Sequence, residues 1–157
     1  MNRPELIVLV GNIGSGKSTL TKEYSKKSYV IISRDSLRYC IGGGNYIFNE
    51  KYEDIIWETE EFLLESFLKK GENIVIDEVG MSKHLRARYL INKEFYPNYT
   101  FKCIELPKLT KEESVQRRLQ SNHGTTPKEV WYEVWEKFNN MYEEPTLDEG
   151  FDEVIKL

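Results

Sequence analysis

Five short apolar runs alternate along the chain with longer stretches in which apolar residues recur every three or four positions. The first run, Leu6-Ile7-Val8-Leu9-Val10, is continuous and partly β-branched. Such a run suits a strand covered on both faces of a parallel sheet. Tyr29-Val30-Ile31-Ile32, Asn73-Ile74-Val75-Ile76-Asp77, Thr100 to Leu106 and Phe151 to Leu157 predict four more strands. Between the first two runs, Lys17 to about Lys26 predicts a polar-faced helix. A helix of a turn or two begins at Asp35 and stops at Gly42-Gly43-Gly44. Tyr52 to Lys70 predicts a long helix, with Ile55, Ile56, Phe62, Leu63, Phe67 and Leu68 at helical spacings and Gly71 as its stop.

Ser82 is placed to cap a helix running through Arg88 and Tyr89 to about Phe95. Thr110-Lys111-Glu112-Glu113 and Thr126-Pro127-Lys128-Glu129 both have the pattern of a capping box, the second with proline at the first helical position. The helix after the second box carries Trp131, Trp135 and Phe138 as a stripe suited to core packing. Strands alternating with helices imply an α/β domain with a central parallel sheet of about five strands and helices on both faces. The length of 157 residues fits one domain spanning 1–157.

Composition changes this picture little. Hydrophobic residues make up 39% and charged residues 31%, ordinary for a globular protein, and no apolar run reaches a membrane span. The short segment after Met1 leads into glycines and Lys17, unlike a signal peptide. Cys40 and Cys103 are far apart and lack a C-x-x-C spacing, so free thiols in a reducing, cytoplasmic compartment are expected. His84 and His123 have no partners at metal-site spacing. The net charge of −4 argues against long-range attraction to duplex nucleic acid, while leaving room for a local basic groove at a strand end.

The chemistry begins at Gly11-Asn12-Ile13-Gly14-Ser15-Gly16-Lys17-Ser18, a full match to G-x-x-x-x-G-K-[ST], followed by Thr19. Its context is the required one, a buried strand before it and a helix after it. The glycines let the backbone curl close to phosphates, and the amides form an anion-binding nest at a helix N-terminus. Lys17 is placed to reach the β- and γ-phosphates of ATP, and Ser18 to offer its hydroxyl to Mg²⁺. Asp77 closes an apolar strand, the usual place of a Walker B acid, and Glu78 follows it; one of the two is expected to help hold magnesium through water.

An acceptor side follows the second strand at Ser33-Arg34-Asp35-Ser36-Leu37-Arg38. In open parallel sheets, ligands bind beyond the carboxyl ends of the strands. Asp35 and Arg38, three apart at a helix start, share one face. The carboxylate can take a proton from an attacking hydroxyl, and the arginine can grip an anion. Residues 110–130, with Arg117 and Arg118 ahead of a polar loop, have the makeup of a lid, although adjacent helical residues diverge by about 100° and cannot both point one way. Arg86 and Arg88 read better as surface charge than as the lining of an acceptor groove. Tyr39, Tyr46 and Phe48 are candidates for stacking an acceptor base.

Together these residues resemble the 5′-kinase domain of the phage polynucleotide kinases and their wider group of small phage and bacterial P-loop kinases. The resemblance rests on the Gly11–Thr19 cradle, Arg34-Asp35-x-x-Arg38, Ile74-Val75-Ile76-Asp77, and the C-terminal Glu144-Pro145-Thr146 and Glu149-Gly150-Phe151-Asp152. It implies a P-loop kinase fold and a bacterial or phage-infected host cytoplasm. It also implies Asp35 as general base, Arg38 on a phosphate of the acceptor strand, and Arg117 on the donor phosphates. Two departures stand out. The family often has Asp-x-Thr-Asn where this chain has Asp77-Glu78-Val79-Gly80, and a second lid arginine where this chain has Ser121, so Arg118 or His123 would take its place.

Three readings remain. The first is an ATP- and Mg²⁺-dependent kinase acting on the 5′-hydroxyl of a polynucleotide, single-stranded or frayed at its end. The second is a kinase for a small acceptor, namely a nucleoside, nucleotide, sugar or antibiotic; the negative charge and the missing Thr-Asn pair favour it. The third is a regulatory ATPase, for which the chain lacks the guanine-reading Asn/Thr-Lys-x-Asp signal of switch proteins.

Overall fold

The computed structural model describes residues 2–121 and 125–157, so His123, named above in place of a second lid arginine, lies outside the described residues. The chain runs β1 (Glu5–Val10), α1 (Lys17–Lys26), β2 (Val30–Ile32), α2 (Arg34–Ile41), α3 (Glu50–Lys69), β3 (Ile74–Ile76), α4 (Lys83–Leu90), β4 (Thr100–Glu105), α5 (Lys111–Gln120), α6 (Lys128–Asn140) and β5 (Glu153–Lys156). The five strands form one sheet in the order β2-β3-β1-β4-β5, and every pairing is parallel. β1 lies between β3 and β4, with Val8 opposite Ile76 on one side and Cys103 on the other.

The continuous apolar runs are explained by two cores, one on each face. Leu6, Val8 and Val10 join Ile74, Ile76, Phe101 and Cys103 in a larger core closed by Leu64 and Leu68 of α3 and Tyr89 and Leu90 of α4. Ile7 and Leu9 join Val75, Ile104 and Leu106 on the other face, covered by Leu20 and Tyr24 of α1. Side chains alternate sides along a strand, so a strand covered on both faces is apolar at every position. Cys103 is buried, and burial pushes its thiol up to about 12, which leaves it inert, whereas Cys40 is exposed. Among the described residues no helix is long and apolar enough to cross a membrane.

The caps behave unevenly. Ser33, Ser82 and Thr110 each accept a backbone N–H from three residues on, fixing the starts of α2, α4 and α5. The box expected at Thr126 does not form. Pro127 sits in extended conformation as the residue before α6, which therefore begins at Lys128 with no side-chain cap. α4 is also shorter than its pattern suggested, because the chain tightens into a 3₁₀ turn over Ile91–Glu94.

The C-terminal segment locks this scaffold. Arg86, read from sequence as surface charge, is instead fully buried (0% exposed). Its guanidinium donates to both carboxylate oxygens of Glu149, at 2.7 and 3.0 Å, and to the Gly80 carbonyl at 2.7 Å. Glu149 also accepts the Thr146 N–H at 2.8 Å, and Asp152 accepts the Phe101 N–H at 2.8 Å. These contacts account for the run from Thr146 to Asp152 as a structural clasp on α4 and β4.

Candidate active site

The segment from Gly11 to Gly16 joins β1 to α1 at the carboxyl edge of the sheet. The Gly11 N–H donates to the Val79 carbonyl at 2.9 Å, which ties the start of the loop to the segment after β3. Gly14 has φ +64°, and a methyl there would lie 2.1 Å from the Ser114 carbonyl oxygen of α5. Only glycine fits that position, on conformational and steric grounds together. Gly80 is constrained in the same way, with φ +53° and the Leu9 carbonyl oxygen 2.3 Å from where a methyl would lie.

Lys17 sends its ammonium back into the loop, donating to the carbonyls of Gly11 and Asn12 at 2.8 Å each and to Ser15 Oγ at 3.3 Å. Burial draws its pKa below the ordinary lysine value, and the charges of Asp77, Asp35 and Glu78 oppose that shift. The ammonium therefore feels acids from both the third strand and α2. Ser18 and Thr19 are exposed at the start of α1. The narrow glycine backbone and the deep ammonium fit a nucleotide polyphosphate. Asn12 fixes the loop from the other direction, its Nδ2 donating to the Trp135 carbonyl of α6 at 3.1 Å.

Asp77 follows the last residue of β3, its N–H bonded to the Ile32 carbonyl at 2.8 Å. Burial raises its carboxyl, Lys17 lowers it, and Asp35 raises it. Among the described residues no group of three or more His, Cys, Asp or Glu could hold a metal ion. A cation here would be held by one hydroxyl and one acid, Ser18 and Asp77, with phosphate oxygens completing its shell, as suits magnesium.

In the first turn of α2, Asp35 has a half-exposed side chain (49%) and accepts from Arg38 Nη1 at 2.7 Å. Arg38 is not otherwise free. Its Nε and Nη2 donate to the two carboxylate oxygens of Glu53 on α3, at 3.0 and 2.5 Å. Burial works to lower the Arg38 pKa, but Glu53 and Asp35 outweigh it and hold the guanidinium firmly charged. Sequence reading missed Glu53, which lies beyond the three glycines with no local pattern linking it to Arg38. Glu78, offered with Asp77 as a magnesium acid, faces elsewhere. It accepts the Arg34 N–H at 2.8 Å and Arg34 Nη2 at 3.3 Å, bracing the first residue of α2. Burial and the neighbouring Glu60 carboxyl raise the Glu78 pKa well above the usual range, against the pull of Arg34. Glu60 is itself buried and accepts the Tyr89 hydroxyl at 2.9 Å. Arg88 stacks over Trp57, 4.3 Å from its ring centre, and pairs with Glu61 at 2.6 Å, in a surface pocket that Tyr89, Phe95 and Tyr96 also line.

The paired arginines of α5 diverge. Arg117 is exposed on the loop side, its Nη1 4.0 Å from where a Gly16 methyl would lie. Arg118 turns toward α2, with Nη1 at 3.4 Å from the Tyr39 hydroxyl and Nη2 at 3.9 Å from Asp35 Oδ2. Its guanidinium lies 4.4 Å from the Trp131 ring centre and 5.0 Å from that of Tyr46. The tryptophan stripe thus splits. Phe138 joins the larger core, whereas Trp131 is buried against Tyr46, at 5.8 Å between ring centres, beside Arg118. Tyr39 meets Tyr46 edge-on at 5.6 Å, and the exposed Phe48 lies 5.4 Å from the Arg38 guanidinium.

Comparison with known proteins bears on the fold. Residues 6–145 match the AAA_33 family, described as an AAA domain, and the chain belongs to that family of P-loop kinases. No curated protein matches the sequence. Among solved structures, a chain of the Pnkp1/Rnl/Hen1 RNA repair complex is 22% identical with a TM-score of 0.68, over 90% of this chain and 46% of that one. A fungal RNA kinase is 16% identical with a TM-score of 0.66, over 100% of this chain and 76% of that one. Shikimate kinase from Acinetobacter baumannii is 16% identical with a TM-score of 0.59, over 98% of this chain and 83% of that one. At these identities the likeness is one of fold. The chain spans less than half the length of the Pnkp1 complex chains it matches.

Proposed function

We propose that this member of the AAA domain family transfers the γ-phosphoryl group of ATP to a hydroxyl acceptor, the 5′-hydroxyl of a polynucleotide. The observation that carries this reading is Asp35: a half-exposed carboxylate, oriented by Arg38 Nη1 at 2.7 Å, whose charge reaches both Lys17 and Asp77. A base positioned next to the phosphate-binding lysine is what an in-line transfer to a hydroxyl requires, and a hydrolytic switch has no need of it. Structural likeness to a chain of an RNA repair complex and to an RNA kinase favours a nucleic-acid end as acceptor.

In this reading the Gly11–Thr19 loop and Lys17 hold the donor phosphates, with Arg117 closing from α5 as a lid residue. Ser18 and Asp77 hold Mg²⁺, which when bound neutralises the phosphate oxygens. Asp35 accepts the proton of the attacking hydroxyl. The test is Asp35→Asn. Phosphoryl transfer to a 5′-hydroxyl oligonucleotide should fall about 10²–10⁴-fold while ATP still binds. Near-normal turnover in that variant would refute Asp35 as the base.

One observation favours a second reading, a small uncharged acceptor. The Arg38 fork is occupied by Glu53 and Asp35, so it offers no open donor pair to a strand phosphate. Transfer of labelled γ-phosphate to 5′-hydroxyl oligonucleotides, compared with a panel of nucleosides and sugars, separates the two.

A further inference from the structure

Arg118 is held from several directions, yet one of its donors is left over. Nη1 contacts the Tyr39 hydroxyl at 3.4 Å and Ser121 Oγ at 3.3 Å. The guanidinium lies within cation–π reach of Trp131 from α6 and Tyr46 from the segment after α2. Rings from two separate elements fix its plane, and the side chain is only 13% exposed. Nη2 is buried and has no hydrogen-bond partner among the described residues. It stands 3.9 Å from Asp35 Oδ2, too far for a hydrogen bond. A buried, charged N–H without an acceptor costs free energy unless a ligand atom completes it.

We propose that Arg118 is an acceptor-binding residue, whose Nη2 donates to an oxygen of the acceptor beside the hydroxyl that Asp35 activates. This rests on the reading of Asp35 as the acceptor-side base. The neighbouring arginine cannot do the same work, because Arg117 leaves α5 about 100° away and faces Gly16. Two consecutive arginines therefore serve two substrates, Arg117 the donor and Arg118 the acceptor. The aromatic clamp matters to this division, since it keeps Arg118 from swinging toward the phosphates. It also brings Arg118 close to Asp35 only while α5 and α6 hold Arg118 and Trp131 against Tyr39 and Tyr46, which links acceptor binding to the placement of those helices. The oxygen it takes belongs either to the ribose or to the first phosphate of the strand.

Steady-state kinetics of Arg118→Lys and Arg118→Gln, with a 5′-hydroxyl oligonucleotide and a nucleoside as acceptors, test the assignment. Lysine keeps the charge without the fork, and glutamine removes the charge. The acceptor KM should rise about tenfold or more in both variants, the scale of one lost charge-assisted hydrogen bond, with the ATP KM and the affinity for a non-hydrolysable ATP analogue unchanged. A rise with both acceptors identifies a ribose oxygen, and a rise with the oligonucleotide alone identifies a phosphate oxygen. A raised ATP KM with an unchanged acceptor KM would overturn the proposal and make Arg118 a donor residue. Equal losses in both KM values with a lowered melting temperature would also overturn it, in favour of a purely structural clamp. If the wild-type chain transfers to neither acceptor, the functional reading falls and takes the proposal with it. If the wild type transfers and the variants keep their acceptor KM, the proposal alone falls.

Discussion

The proposed donor and acceptor ends of the crevice are built in different ways. The donor end is one unbroken stretch, Gly11 to Ser18, whose recognition groups are mostly backbone amides and whose one long side chain bonds within the loop itself. The acceptor end draws Asp35 and Arg38 from α2, Glu53 from α3, Arg118 from α5 and Trp131 from α6. Backbone recognition needs a local conformation, which a few glycines secure. Side-chain recognition needs each charge to be met by another from a distant element, because a buried charge left alone is costly.

The comparison is broken most severely at the donor end by Gly14→Ala. The methyl would collide with the Ser114 carbonyl, and the loop would lose its phosphate-facing amides. Transfer should fall roughly 100-fold or more, on the scale of a lost preorganised donor, with ATP affinity falling in parallel by calorimetry. If ATP affinity stays normal, the loop is more plastic than its packing against α5 implies.

Arg86→Ala tests the opposite case, a guanidinium that serves the scaffold. Its loss leaves Glu149 buried without its partner, so unfolding free energy should drop by about 3–5 kcal/mol in urea titration. A drop below about 1 kcal/mol, typical of a solvated surface pair, would restore the surface reading of Arg86.

Glu53→Gln sharpens the contrast between the ends. It weakens the hold on the Arg38 fork while leaving α3 its shape. A phosphate-bearing acceptor should then bind more tightly, with KM lowered by roughly 3–10-fold, about one charge-assisted hydrogen bond. An unchanged KM for oligonucleotides would remove Arg38 from acceptor recognition.

The smallest effect belongs to Asp152→Asn. Burial raises the Asp152 carboxyl, but Lys93 and the Phe101 N–H outweigh it and hold it below the usual carboxylate range. A carboxylate whose folded value is depressed stabilises the fold above its unfolded pKa of about 3.9, and the benefit disappears as pH falls through the lower folded value. The variant should melt a few degrees below wild type at pH 7, and the two should converge as pH falls below the depressed folded value. A gap that stays constant with pH would mean that packing, not charge, carries the effect.

Much of the fold was legible in the sequence because the runs at Leu6 and Ile74 are apolar at every position, which only a strand covered on both faces requires. Ser82 and Thr110 were legible as caps because a cap bonds only to a backbone N–H three residues on, whereas Ser33, which caps α2 in the same way, was not read as one. Thr126 misled because Pro127 took an extended conformation and moved the helix start one residue on. Arg86 misled because charge alone predicts solvent, and its partner Glu149 lies 63 residues away.

The sequence by itself determined the phosphate loop, the acid that ends β3 and the presence of Asp35 and Arg38 on one face of a short helix, since each depends on neighbours within a few residues. Tertiary structure decided what each charge meets. It set Glu53 on Arg38, Glu78 on Arg34, Glu149 on Arg86, and Arg118 between two aromatic rings beside Asp35. A side chain's charge is written in the chain, but the free energy of burying it depends on the partner that folding brings, and no local pattern carries that partner's position.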